Sequence, residues 1–411
     1  MSEPLQGTLV VGQSGGPTPV INASLAGVIS EAQKHACFTR ILGLVHGVEG
    51  ALNENLIDLT AETPANLESL TRTPASALGS CRHKLSEDDY KQVLAVFRAH
   101  KVRHFVYIGG NDSMDTCYRI WQLASSTGYG MQVMGVPKTI DNDLAFTDHC
   151  PGYGSTARFL ALATRDTGRD LESMATFDDV TILEAMGRNA GWLTAAAALG
   201  KEGKDDAPHL VYVPEIPFDV TSFLDDVQRV HSRLGRVFVV VSEGVRDAGG
   251  EFVGNNAMRT GGGDSFGHVV HSLTTGVAAY LAELAHKQLG LQTRFLRPGL
   301  IGRAMSACVS ELDRTEALQV GLAAVSRLAA GETGHMITLD RVSEDPYRCE
   351  TGVVSVAKVA NAENLLPRTF MNSAGNMVTD RFIDYAKPLI DGPLPSLARL
   401  KGERVIPRTT G

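Results

Sequence analysis

Short apolar runs separated by amphipathic stretches pattern this chain. Thr8–Val11, Phe105–Ile108, Val133–Val136, Val180–Leu183, Leu210–Val213 and Val237–Val241 are too short for helices and do not alternate with polar residues. They read as strands buried on both faces. Between them, Asn22–Lys34, Glu87–Ala99, Ser113–Ala124 and Thr156–Leu171 predict helices. In Ser113–Ala124 the positions Met114, Cys117, Ile120, Trp121 and Ala124 fall on one face at helical spacing. Strand–helix alternation of this kind implies the α/β class, with a mostly parallel sheet covered by helices on both sides. No fixed-period repeat or low-complexity linker interrupts it. A break between domains is expected near Cys150-Pro151-Gly152-Tyr153-Gly154, and the segments Gly200–Ala207 and Thr260–Asp264 read as surface loops. Beyond about residue 330 the pattern predicts no clear elements.

The bulk properties narrow the picture. A chain of 411 residues can hold two or three domains and bury a sizeable core. Its formal charge of −8, with no long Lys/Arg run, argues against nucleic acid as a partner. The six cysteines are scattered without a CxxC pair, which suits a reducing, cytoplasmic location and neither a zinc site nor a disulfide scaffold. No basic-then-apolar leader precedes the first strand, and no apolar run approaches the roughly 20 residues of a membrane span. A cytoplasmic protein with no membrane partner is expected.

Several strand ends carry chemistry. Val133–Val136 runs into Pro137-Lys138-Thr139-Ile140-Asp141-Asn142-Asp143, a loop that places a lysine beside two carboxylates where open α/β sheets bind ligands. A lysine neutralises phosphate charge and an aspartate can accept a hydroxyl proton, the two needs of phosphoryl transfer. The same residues are compatible with an Asn/Asp-rich turn held by its own side chains. The first strand ends in Gly12-Gln13-Ser14-Gly15-Gly16-Pro17-Thr18 before a helix, a turn that is not GxGxxG. Gly15 and Gly16 would let the backbone approach an anion at the helix start, although a tight ligand-free connection would look alike. Phe105–Ile108 ends in Gly109-Gly110-Asn111-Asp112-Ser113, where Asn111, Asp112 or Ser113 would cap the next helix whatever its function. A carboxylate there repels anions unless a metal intervenes, which brings in Mg²⁺ or a deliberate exclusion. Glu184-Ala185-Met186-Gly187-Arg188 and Ser242-Glu243-Gly244 close two further strands with groups suited to sugar and phosphate oxygens.

Taken in order from about Thr8 to about Ala330, these segments resemble the phosphofructokinase family. The most specific motifs are the Gly-Gly turn, the Gly-Gly-x-x-Ser turn, Thr-Ile-Asp-Asn-Asp and Met-Gly-Arg. The resemblance implies two Rossmann-like parallel-sheet domains with the active site in the cleft between them. Residues 1–150, completed by part of 305–411, would bind the phosphoryl donor, and 151–304 the sugar phosphate; 331–411 is left without a role. The implied reaction phosphorylates the 1-hydroxyl of fructose 6-phosphate. Asp141 would be the base, flanked by Lys138, Thr139 and Asp143. Gly15, Gly16, Arg82, Gly110, Asp112 and Ser113 would face the donor, with Asn111 and Asp112 near Mg²⁺. Met186, Gly187, Arg188, Glu243, Arg294 and Arg303 would hold the sugar phosphate. In bacterial members the equivalent of Arg294 comes from a neighbouring subunit, so a homo-oligomer, dimer or tetramer, with shared active sites is implied.

Asp112 and Lys138 stand where ATP-dependent members of that family usually carry glycine. A carboxylate would crowd and repel a nucleotide's α-phosphate, so the resemblance points to its pyrophosphate-dependent branch. Asn111 replaces the usual metal-associated aspartate, Leu300 a histidine, and Asp179 an arginine. Ala26 and Ser30 occupy the first-helix positions of effector-binding arginines, which predicts no nucleotide or phosphoenolpyruvate control there. An ATP-dependent kinase with an unusual donor pocket and a non-catalytic regulatory subunit are the alternatives within the family. A dinucleotide-binding oxidoreductase is the alternative outside it, disfavoured by the absence of GxGxxG.

Overall fold

The computed structural model describes residues 5–254, 276–360, 362–402 and 405, so the predicted loop Thr260–Asp264 lies outside the described residues. Among these residues the long strands form two sheets. The first has the order β11-β10-β5-β4-β1-β2-β3, from Gly7–Gln13 (β1), Phe38–Leu44 (β2), Leu56–Asp58 (β3), Val102–Gly109 (β4), Gln132–Pro137 (β5), His335–Glu344 (β10) and Tyr347–Ser355 (β11). Its inner strands pair in parallel, and β3 and β11 are antiparallel edges. The second is wholly parallel, with the order β7-β8-β6-β9, from Val180–Ala185 (β6), Leu210–Tyr212 (β7), Val237–Ser242 (β8) and Thr293–Leu296 (β9). This is the expected mixed α/β architecture of two parallel-sheet lobes.

Burial explains why these segments are strands. Every residue of β1, β6 and β8 is buried, because helices cover both faces of each sheet. Each fully buried Val, Leu or Ile contributes about 1.5–3 kcal/mol relative to an exposed one. The predicted helices form at Ile21–Ala32, Glu87–Ala99, Asn111–Ser126 and Tyr153–Ser173, the last two longer than their apolar faces suggested. In the third of these Met114, Cys117, Ile120 and Ala124 are buried, with Trp121 half-buried at the margin.

The chain crosses between the lobes more than once. After β9 it returns as the helix Glu311–Ala329, which packs on Ile21–Ala32, and then adds β10 and β11 to the first sheet. It crosses again, so that Leu366, Phe370, Phe382 and Leu389 share the core of the second lobe with Trp192, Val211 and Val240. The segment beyond residue 330, opaque in the sequence, therefore contributes to both lobes. All six cysteines are free thiols, and no described helix is long and apolar enough to cross a membrane.

Candidate active site

A cleft of about 320 Å³ opens where the C-terminal ends of β1, β4 and β5 face those of β6 and β8. Gly15, Gly16, Arg82, Gly110, Asn111, Asp112, Ser113, Lys138, Thr139, Asp141 and Asp143 line its first-lobe side, and Met186, Arg188, Glu243 and Arg303 the other. Gly187 lies in the turn between two of the lining residues. Arg294 does not reach the cleft: it sits on the exposed edge strand β9 and pairs with Asp178 at 2.6 Å. Ser14, Pro17 and Ile140, members of the motifs above, line the cleft too. Arg297 also lines it and has no motif of its own. Because β9 runs parallel beside β6, its end comes to the cleft, and the buried carboxylate of Glu184 holds Arg297 there at 2.8 Å.

Backbone geometry aims the loop after β5. Asn142 takes a left-handed conformation (φ 58°), which asparagine tolerates better than most residues. Its buried side chain accepts from the Cys150 N–H at 2.9 Å and donates to the Tyr385 hydroxyl at 3.1 Å. With Asn142 turned into the protein, Asp141 and Asp143 face the cleft. Thr139 Oγ1 accepts from the Asp141 N–H at 3.1 Å, and the Arg188 guanidinium spans both carboxylates at 3.4 Å each.

Arg188 in turn depends on a strained bend. Gly187 adopts φ 139° and Arg188 φ 50°, and a side chain at Gly244 would lie 1.6 Å from the Arg188 carbonyl oxygen. Such backbone is tolerated where the surroundings over-determine it. Glu243 does part of this by accepting from the Gly187 and Arg188 N–H groups at 3.3 Å.

On the opposite wall, Lys138 Nζ donates to the Gly16 carbonyl at 2.8 Å, tying the β5 loop to the first glycine turn. Gly15 (φ 75°) passes so close that its Cβ would stand 3.0 Å from Lys138 Nζ, and one on Gly16 would stand 2.7 Å from the Arg303 guanidinium. Gln13 Oε1 accepts from the Leu78 N–H and Ser80 Oγ donates to the Gly15 carbonyl, which anchors the loop bearing Arg82. The second glycine turn differs from expectation in one respect. Gly110 caps the helix, and Asn111, Asp112 and Ser113 form its first turn, where Asn111 Oδ1 accepts from the Asp112 N–H.

The electrostatics suit proton and phosphate transfer. Burial, helped by the neighbouring Asp143 charge and opposed by Arg188, raises the Asp141 carboxyl to about 6. It is then ionised at neutral pH yet more basic than a free aspartate. Burial lowers Lys138 to about 8, with Asp141 and Asp143 opposing and Arg188 and Arg303 assisting. Burial also pushes Glu243 up.

No group of three or more metal-ligating side chains occurs among the described residues. The donor set at the rim still fits a hard divalent ion that keeps several waters. Asp112 offers one exposed carboxylate, Asn111 an amide oxygen with a lone pair to spare, and a phosphorylated ligand would supply the rest.

The phosphofructokinase family model matches residues 8–328. A pyrophosphate–fructose 6-phosphate 1-phosphotransferase of Xanthomonas campestris is 44% identical over 95% of this chain and 93% of its own length. One of Rhodospirillum rubrum is 40% identical over 97% and 98%. The crystal structure of a pyrophosphate-dependent phosphofructokinase from Marinobacter aquaeolei superposes with a TM-score of 0.84, at 36% identity over 98% of each chain.

Proposed function

The chain belongs to the phosphofructokinase family, and we propose that it catalyses phosphoryl transfer from inorganic pyrophosphate to the 1-hydroxyl of fructose 6-phosphate. Asp141 takes the proton of the 1-hydroxyl. The resulting oxygen attacks one phosphorus of pyrophosphate in line, the P–O–P bridge breaks, and inorganic phosphate leaves. Lys138, Arg82 and the amides of the two glycine turns stabilise the charge that develops on the transferred group and the leaving phosphate. Met186, Gly187, Arg188, Glu243, Arg297 and Arg303 hold the sugar phosphate. The bond broken and the bond formed are similar in free energy, so the reaction runs readily in both directions.

Phosphotransferases of this family generally use a divalent metal. We take it to be Mg²⁺, held by Asp112 and Asn111, where it would neutralise pyrophosphate charge. The observation that carries the choice of donor is the pair Asp112 and Lys138 on one wall of the cleft. The carboxylate at the helix start repels a nucleotide's α-phosphate, and the lysine stands at the glycine turns where phosphate must depart. We further infer a homo-oligomer, dimer or tetramer, with shared active sites. Arg294 lies outside its own cleft, on an edge strand whose surroundings expose Phe177, Phe295, Leu300 and Ile301. A cytoplasmic location accords with the free thiols.

Asp112→Gly combined with Lys138→Gly tests the assignment. Steady-state kinetics should show kcat/KM for pyrophosphate falling at least about 100-fold, with ATP use emerging. Unchanged use of pyrophosphate in the variant would refute the role of both residues.

A further inference from the structure

The geometry points to Tyr385, in the C-terminal segment beyond the family match, as a positioning residue for the loop that carries Asp141 and Asp143. The inference rests on the function proposed above. Asn142, between the two aspartates, donates from Nδ2 to the Tyr385 hydroxyl at 3.1 Å, and that hydroxyl donates to the Asp148 carbonyl at 2.8 Å. Tyr385 thus links Asn142 to Asp148 across the loop.

The same segment grips the loop a second time. The Asn364 N–H donates to the Asp143 carbonyl at 2.8 Å, and Leu144 pairs with Glu363 in an isolated bridge. Its other side is fastened to the sugar lobe, where Trp192 Nε1 donates to the Asn364 carbonyl at 2.7 Å. Glu215 Oε1 completes the fastening, accepting from the N–H groups of Gly191 and Leu366 at 2.8 Å each. The loop belongs to the first sheet, whereas Leu366, Phe370 and Phe382 sit in the core of the second lobe. The segment is therefore a clasp across the cleft. It holds a left-handed asparagine in place and fixes the distance from Asp141 to the sugar wall. Misplacing a base by about 1 Å can cost about 100-fold in rate, so such a clasp acts on kcat.

Tyr385→Phe keeps the ring against Trp192 and Phe370 and removes only the hydroxyl. Kinetics are compared with wild type using whichever donor the wild type accepts, so an error in the donor leaves this test intact. The expected result is a fall in kcat of about tenfold, with KM for both substrates within about twofold. A kcat within about twofold of wild type beside a lowered Tm would overturn the inference, since the hydroxyl would then serve folding alone. A rise in KM at unchanged kcat would overturn it as well. Should Tyr385→Phe not fold, Trp192→Phe removes one bond at the sugar-lobe end of the clasp while Glu215 keeps the other, and a smaller fall in kcat at constant KM is expected.

Discussion

Asp141 and Lys138 are neighbours in sequence whose surroundings push their ionisation towards each other. Burial and Asp143 bring the carboxyl up to about 6, and burial brings the ammonium down to about 8. As the proposed base, Asp141 must be deprotonated to act, so activity should be lost as pH falls through about 6. The lysine works only when charged, so activity is lost as pH rises through about 8. A plot of kcat/KM against pH should be a bell with limbs near those values, and it reports the free enzyme. Asp141→Asn should lower kcat by about three orders of magnitude, with much smaller change in KM. A profile flat from pH 5 to 9 would contradict both assignments. These two residues were legible in the sequence because a lysine and two aspartates at a strand end have few structural reasons to coincide. Arg297 was not, since its place depends on β9 lying beside β6 and on Glu184, more than a hundred residues away.

Among strands, the ones read correctly from sequence are apolar runs buried on both faces. Phe105–Ile108 and Val133–Val136, the inner parts of β4 and β5, are apolar runs too short for helices and followed by turn residues, which fits central strands. β2 escaped notice although Ile41–Leu44 continues the apolar pattern after the exposed Thr39 and Arg40, the same arrangement as in β4. The hairpin of β10 and β11 escaped because its outer half alternates exposed charged residues such as Asp340, Glu344, Arg348 and Glu350 with less exposed ones. Charges of this kind protect an edge from pairing with another chain while they hide it from the eye. Contact between the helices Ile21–Ala32 and Glu311–Ala329 was likewise invisible, because it rests on two glycines distant in sequence. A Cβ on Gly321 would stand 2.2 Å from the Ser24 carbonyl, and one on Gly27 would stand 2.3 Å from that of Leu318. Gly321→Ala should therefore destabilise by about 1–3 kcal/mol, read as a lower midpoint in urea unfolding. An unchanged midpoint would mean that the helices are not packed this closely.

At the scale of the molecule, a buried polar cluster ties the loop after β5 to the helix Glu311–Ala329 and the β10–β11 hairpin. His149 lies between Asp148 at 2.8 Å and Glu316 at 2.7 Å, and Arg341 and Tyr347 complete the cluster. Burial alone would push His149 down, but the hydrogen bonds and charges of Asp148 and Glu316 outweigh it and hold the imidazole at about 9. Its folded value lies above the ordinary 6.5, so its stabilising contribution is complete below about 6.5 and is lost as pH rises through about 9. The difference in Tm between wild type and His149→Gln should accordingly shrink from pH 7 to pH 10. A difference that grows over that range would mean that His149 is not held protonated in the folded state.

The central claim is that this cleft takes its phosphoryl group from pyrophosphate. The most direct measurement is formation of fructose 1,6-bisphosphate from fructose 6-phosphate and Mg²⁺, with either pyrophosphate or ATP as the sole donor. Product should form with pyrophosphate and essentially none with ATP. Product with ATP alone would contradict it, leaving the fold and Asp141 in place but removing the reason given for Asp112 and Lys138.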